Sequence, residues 1–157
     1  MNKEKIKIGI LGCGRVCEHY IQKIFIPERV GSLYEVIAVC DIDIRKSTYV
    51  ANIFSCKAYN SIQEFVQQKN MEVVVILTKS GQHYEHSKIC LSNYFNVIVE
   101  KPLALRIDHA QELINISADT GKFCASIFQN RLNPAVVTTK RAFEKKRFGN
   151  LVSVSVR

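Results

Sequence analysis

The chain has 157 residues, enough for one domain with a proper core. Its hydrophobic content of 47%, with seven glycines and three prolines, excludes a collagenous or disordered chain. The net charge of +8 admits nucleic acid, a membrane surface or anionic small ligands as partners; no recognised nucleic-acid module accompanies it, and no apolar run is long enough to cross a membrane.

The N-terminus places basic residues before an apolar stretch, but glycines break that run and no small-residue cleavage site follows, so a signal peptide is not expected. A first strand is predicted over about Lys5–Leu11. It ends in Gly12-Cys13-Gly14, and a helix over about Arg15–Phe25 follows, with Val16, Tyr20, Ile21 and Ile24 at helical spacing. Strand, glycine turn and helix together form the context of a dinucleotide-binding loop. Gly12 permits the tight turn, and Gly14 lets a pyrophosphate approach the backbone at a helix N-terminus. The third small-residue position falls on Cys17, where glycine or alanine is usual.

Pro27 to Ser32 read as a loop. Tyr34–Cys40 is the second strand and ends at Asp41. A helix near Arg45–Phe54 buries Val50, Ile53 and Phe54. Lys57–Tyr59 reads as a short strand, and Ser61 with Glu64 reads as a capping box opening a helix. Glu72–Leu77 is nearly all apolar and β-branched, which suits a strand covered on both faces of a parallel sheet. A polar loop at Thr78–Gln82 leads to a helix over about His83–Leu91. Then come a strand at Asn96–Glu100, a helix at Asp108–Thr120 with Ala110, Leu113, Ile114 and Ser117 inward, and a strand at Lys122–Phe128. A helix with Pro134 in its first turn runs to about Lys146, its basic cluster forming a solvated face. Leu151–Val156 alternates strictly and reads as a strand with one wet face.

This alternation predicts an α/β fold, a doubly wound parallel sheet of the Rossmann type. The last strand has no partners in the chain. The expected organisation is therefore a nucleotide-binding domain over residues 1–148, with residues 149–157 opening a second α/β domain that is missing. Six cysteines occur without a C-x-x-C pair. Cys40, Cys90 and Cys124 read as small buried hydrophobes. Cys13, Cys17 and His19 have poor zinc spacing, so no metal is expected and a reduced, cytoplasmic setting is.

Asp41, at the end of the second strand, suits the ribose hydroxyls of an adenosine. It would repel a 2′-phosphate, and Ile42 beside it offers no compensation, so NAD is favoured over NADP. Asp41 also fits a plain turn residue. Lys101, after Glu100 and fixed by Pro102, stands at the edge where ligands bind in open α/β sheets; it reads either as a proton shuttle to a substrate oxygen or as an ordinary surface lysine. His83 reads as a cofactor contact or, ranked higher, as an exposed helix cap. Thr78, Lys79 and Ser80 lie beneath the expected nicotinamide end, and Gln129-Asn130-Arg131 reach the same edge, where Arg131 could pair with a carboxylate or phosphate. The candidate cofactor contacts are Gly12, Cys13, Gly14, Arg15, Val16, Asp41, Ile42, Thr78, Lys79, His83, Glu100, Lys101 and Gln129.

IGILGCGRV at the start, VCD at Asp41, LTKSGQHYEH around His83 and VEKPLAL around Lys101 together resemble the glucose–fructose oxidoreductase/inositol dehydrogenase (Gfo/Idh/MocA) family. FQNRLNPAV at Phe128–Val136 is similar to the subgroup that oxidises UDP-linked N-acetylamino sugar acids for surface polysaccharide synthesis. The resemblance implies a Rossmann domain followed by an α/β substrate domain that often mediates oligomerisation. It implies NAD-dependent oxidation of a sugar or UDP-sugar, with Lys101 contacting the hydroxyl that loses its proton. A homo-oligomer is implied for a full-length form, and little turnover for the 157-residue chain alone. The alternative is a non-catalytic NAD(H)-binding module or redox-sensing subunit. Lys79-Ser80 depart from the family's frequent Pro-Asn.

Overall fold

In a computed structural model, the structure describes residues 4–25 and 33–155. The expected loop at residues 27–32 lies outside them. The chain divides into two compact units, Met1–Ile127 and Phe128–Arg157.

The first unit is built on six parallel strands: β1 (Ile6–Leu11), β2 (Tyr34–Cys40), β3 (Lys57–Tyr59), β4 (Val73–Ile76), β5 (Asn96–Glu100) and β6 (Cys124–Ile127). Their spatial order is β3-β2-β1-β4-β5-β6. The order reverses between β1 and β4, and that switch opens a crevice at the carboxyl ends of the strands. Helices α1 (Arg15–Tyr20), α2 (Ile44–Phe54), α3 (Ile62–Phe65), α4 (His83–Ser92) and α5 (Ile107–Thr120) connect the strands.

Two apolar clusters cover the two faces of the sheet. Ile10, Val73 and Val75 pack with Cys17, Tyr20 and Val50 on one side. Leu11, Val74 and Ile76 pack with Phe65, Leu91 and Leu113 on the other. Successive residues of β4 alternate between these clusters, and all four are buried, as a strand covered on both sides requires. Gly9 faces Phe65, whose ring would come within 2.7 Å of any Cβ there. Its missing side chain lets that ring lie on the sheet.

The helices depart from their predicted form in several places. The first loses its α geometry after Tyr20 and continues as π-helix over Ile21–Phe25. Ile24, Ile53 and Ile114 are exposed rather than inward, because each stands at the margin of its helix's apolar stripe. The capping box at Ser61 does not form: its hydroxyl donates to Gln63 Oε1 at 3.0 Å instead of accepting from the backbone. Cys124 is only half-buried, while Cys40 and Cys90 are buried.

In the second unit, a turn at Gln129–Leu132 precedes α6 (Pro134–Glu144). The Asn133 side chain caps α6 by accepting from the Ala135 N–H at 2.9 Å. Lys140 pairs with Glu144 one turn on, and residues 145–147 are exposed. The alternating stretch predicted as a strand has no regular structure over residues 151–155. A strand exists through its ladder of inter-strand hydrogen bonds, and among the described residues none pairs with this segment.

Candidate functional site

The crevice at the switch point is a cleft of about 930 Å³. Its floor is the glycine turn after β1. Gly12 has φ +100°, a conformation that side chains rarely adopt, and a Cβ there would stand 2.8 Å from the Leu77 and Thr78 backbone. Its N–H donates to the Cys40 carbonyl at 2.8 Å, which ties the turn to β2. Gly14 differs. Its φ is −88°, and a Cβ would meet nothing within 4 Å. The protein itself does not need glycine at 14; the space beside it is open cleft.

Asp41 braces the turn from the next strand. Its Oδ2 accepts from the Cys13 N–H at 2.8 Å, and its Oδ1 from the Asp43 N–H at 2.9 Å. Each oxygen keeps a further lone pair. A pyrophosphate beside Gly14, with ribose hydroxyls at Asp41, fits this arrangement. Arg45, the nearest arginine in sequence, is committed elsewhere: its guanidinium grips the Asp43 carboxylate through two bonds, at 3.0 and 2.9 Å. That grip holds the Asp43 carboxyl below the usual range.

Of the predicted residues, Gly12, Gly14, Arg15, Val16, Asp41, Ile42, Thr78 and Lys79 line this one cleft. Cys13 is buried behind it and contributes its N–H. Its thiol donates to the Cys40 carbonyl at 3.7 Å, and the neighbouring Cys17 thiol, then burial, push it far above the ordinary value. It therefore stays a thiol. Gln129 and Arg131 lie in the second unit, on the turn after Phe128.

His83 is neither an exposed cap nor a cleft wall. It is 1% exposed. Its Nδ1 lies 2.6 Å from the Pro102 carbonyl and its Nε2 3.0 Å from the Thr78 carbonyl. The loops after β4 and β5 supply these two carbonyls, so a ring that starts a helix in sequence is covered by them.

Glu100 ends β5, and Lys101 follows it on the same edge of the sheet. Glu100 Oε1 accepts from the Tyr20 hydroxyl at 2.6 Å, and its Oε2 from the Lys101 N–H at 2.9 Å. This carboxylate is spent inside the protein and joins α1 to the backbone of Lys101. Burial, then the bond to Glu100, pushes the Tyr20 phenol up. The Lys101 side chain is exposed, and the Lys101–Pro102 peptide is cis.

Sequence reasoning missed Lys46, Asn60, Ser61, Gln63 and His86, all on the cleft wall. The three from 60 to 63 follow β3, and the rule that strand carboxyl ends line the crevice would have found them. His86 stands four residues after Gln82, one helical turn along. Its Nδ1 lies 3.0 Å from Thr78 Oγ1. Burial, with His83 nearby, holds its imidazole below the usual value.

Residues 6–128 match the sequence model of a family described as an oxidoreductase family with an NAD-binding Rossmann fold. The chain is 27% identical over 146 residues to trans-1,2-dihydrobenzene-1,2-diol dehydrogenase of Xenopus laevis, covering 92% of this chain and 44% of that protein. It is 26% identical over 152 residues to inositol 2-dehydrogenase of Salmonella typhimurium, covering 95% and 44%. Among solved structures, the WlbA dehydrogenase of Chromobactrium violaceum, in complex with NADH and UDP-GlcNAcA, superposes with a TM-score of 0.87 at 29% identity over 95% of this chain and 42% of that one. WlbA of Bordetella pertussis, with the same two ligands, gives 0.87 at 25% identity over 96% and 42%. The chain spans less than half the length of these relatives. Among the described residues, no helix is long and apolar enough to cross a membrane.

Proposed function

Because the chain belongs to the Gfo/Idh/MocA oxidoreductase family, with its NAD-binding Rossmann fold, we propose that it is the cofactor-binding part of a dehydrogenase acting on a hydroxyl of a sugar or nucleotide sugar. The observation that carries this reading is the paired arrangement of Gly14, beside open cleft, and Asp41, pinned by the N–H of the glycine turn. Gly14 and the start of α1 take the pyrophosphate. Asp41 takes the ribose hydroxyls, and its own negative charge disfavours a 2′-phosphate. Val16, Ile42 and Leu77 supply apolar surface to flat rings.

When bound, the nicotinamide supplies the hydride acceptor. Lys101 holds the substrate oxygen: as an amine it takes the hydroxyl proton while hydride leaves the carbon for the nicotinamide, and as the resulting ammonium it returns that proton in the reverse direction. The WlbA structures hold a UDP-sugar, which favours a nucleotide sugar here. A second α/β domain opening near residue 149 completes the substrate pocket, and such full-length chains associate as homo-oligomers. The six cysteines are all free, which agrees with the cytoplasm.

Titration calorimetry of the 157-residue chain tests the reading. NADH binds with modest affinity and NADPH more weakly. No heat at millimolar NADH, with no protection against thermal unfolding, overturns it.

A further inference from the structure

His83 is a polar ring buried to 1% exposure. Both of its nitrogens meet main-chain carbonyls, and the two carbonyls belong to different loops. The imidazolium, with a proton on each nitrogen, donates to both carbonyls at once; the neutral ring carries one proton and donates to one of them. Pro102 adjoins Lys101, and Thr78 lines the cleft. The two loops follow the neighbouring parallel strands β4 and β5. Among the described residues, no backbone hydrogen bond joins these two loops.

We infer that His83 is a positioning residue, a clamp that fixes the Lys101 loop against the Thr78 loop so that the lysine and the cleft wall keep one register. The Lys101 backbone is then held from both flanks. Glu100 takes its N–H on one side, and His83 takes the next carbonyl on the other. Thr78 is likewise held twice, its carbonyl by His83 and its hydroxyl by His86. His83 does this from outside the cleft, since it does not line it. An unclamped loop would carry the lysine through a range of positions, and misplacement of a reacting group by about 1 Å costs about 10²-fold in rate. This catalytic consequence rests on the reading of Lys101 given above; the clamp itself does not.

Amide exchange, followed residue by residue by NMR on the ligand-free 157-residue chain, tests the clamp. The Gln82 N–H, bonded to the Lys79 carbonyl at 2.8 Å, reports on one loop. The Lys101 N–H, bonded to Glu100, reports on the other. His83→Phe keeps an aromatic ring in the buried space and removes both donors. Both reporters should then exchange about tenfold faster at a pH where the ring is an imidazolium, and one of the two where it is neutral, the factor an ordinary hydrogen bond supplies, while Ile10 and Val75 at the centre of the sheet keep their protection. The two bonds are separable, because the amide nitrogen of asparagine falls near Nδ1 and that of glutamine near Nε2. His83→Asn should restore protection at Lys101, and His83→Gln at Gln82. Unchanged reporters in His83→Phe overturn the clamp. So does acceleration shared equally by the central strands, or a failure of both amide variants to restore their own loop. Failure of NADH binding, or full activity in a Lys101→Ala enzyme, overturns the proposed function and leaves these results standing.

Discussion

Asp41 carries two duties, and removing its carboxylate separates them. It accepts the Cys13 and Asp43 N–H groups at 2.8 and 2.9 Å. Hydrogen bonds to a charged acceptor contribute about 1.5 kcal/mol each at the low end, so Asp41→Ala forfeits about 3 kcal/mol before any ligand is present. Asp41 is half-buried, and water can reach the abandoned N–H groups, which lowers the expected loss to about 2 kcal/mol. For a chain of this size that is a fall in Tm of about 4–8 °C. Asp41→Asn keeps one acceptor oxygen and turns an NH₂ toward the other donor, so it should lose about half as much. The assay is thermal unfolding without ligand, followed by NADH and NADPH titrations. NADH affinity should fall at least tenfold in Asp41→Ala, NADPH affinity much less, and the gap between them should narrow. An Asp41→Ala chain that melts within about 1 °C of its parent would refute the bracing role, whatever happens to cofactor affinity.

Further outcomes follow from the same geometry. Gly12→Ala places a Cβ against the Leu77–Thr78 backbone at a φ of +100° and should lower ligand-free stability by about 2 kcal/mol or more, read in urea unfolding. Gly14→Ala should leave that unfolding curve unchanged and weaken NADH binding at least tenfold in calorimetry; equal weakening of fold and binding contradicts the open space at 14. Tyr20→Phe removes the bond to Glu100 and should cost about 1 kcal/mol, with faster amide exchange at Lys101. In a chain extended by the second domain, Lys101→Ala should reduce kcat by about 10²-fold or more and leave NADH affinity within a few-fold, and Lys101→Arg should not rescue it. Near-normal single-turnover transfer in Lys101→Ala makes the lysine an ordinary strand end.

The sequence was most readable where local chemistry and tertiary structure agree. A β-branched run such as Val73–Ile76 has one stable setting, the middle of a parallel sheet. The glycine turn and Asp41 were readable because a backbone that bends sharply and a carboxylate at a strand end leave marks in residue type. His83 was not readable in this way. Its position at the start of α4 suggested exposure, and only the tertiary placement of the Thr78 and Pro102 carbonyls against the ring shows it buried. The same limit applies to the Ser61 box: residue spacing is necessary for it, but Ser61 bonds Gln63 instead. Leu151–Val156 shows the converse, since alternation records a preference for pairing and cannot provide the partner. Lys46 and His86 went unnoticed because helical residues reach a cleft through geometry that spacing alone does not rank.

Gly12 and Gly14 stand two residues apart, yet they answer to different kinds of loss. Should a lineage stop using the cleft, drift to alanine or serine at 14 would meet no resistance, because nothing in the folded chain occupies that space. Gly12 would persist, since the turn collapses without it. The pair thus works as a clock with one hand fixed: the fold preserves the first glycine indefinitely, and only continued use preserves the second. A library of variants at the two positions, sorted once for abundance and once for cofactor retention, would read them apart. Tolerance at 14 in the first sort and intolerance in the second would mark this chain as one whose cleft is still in service.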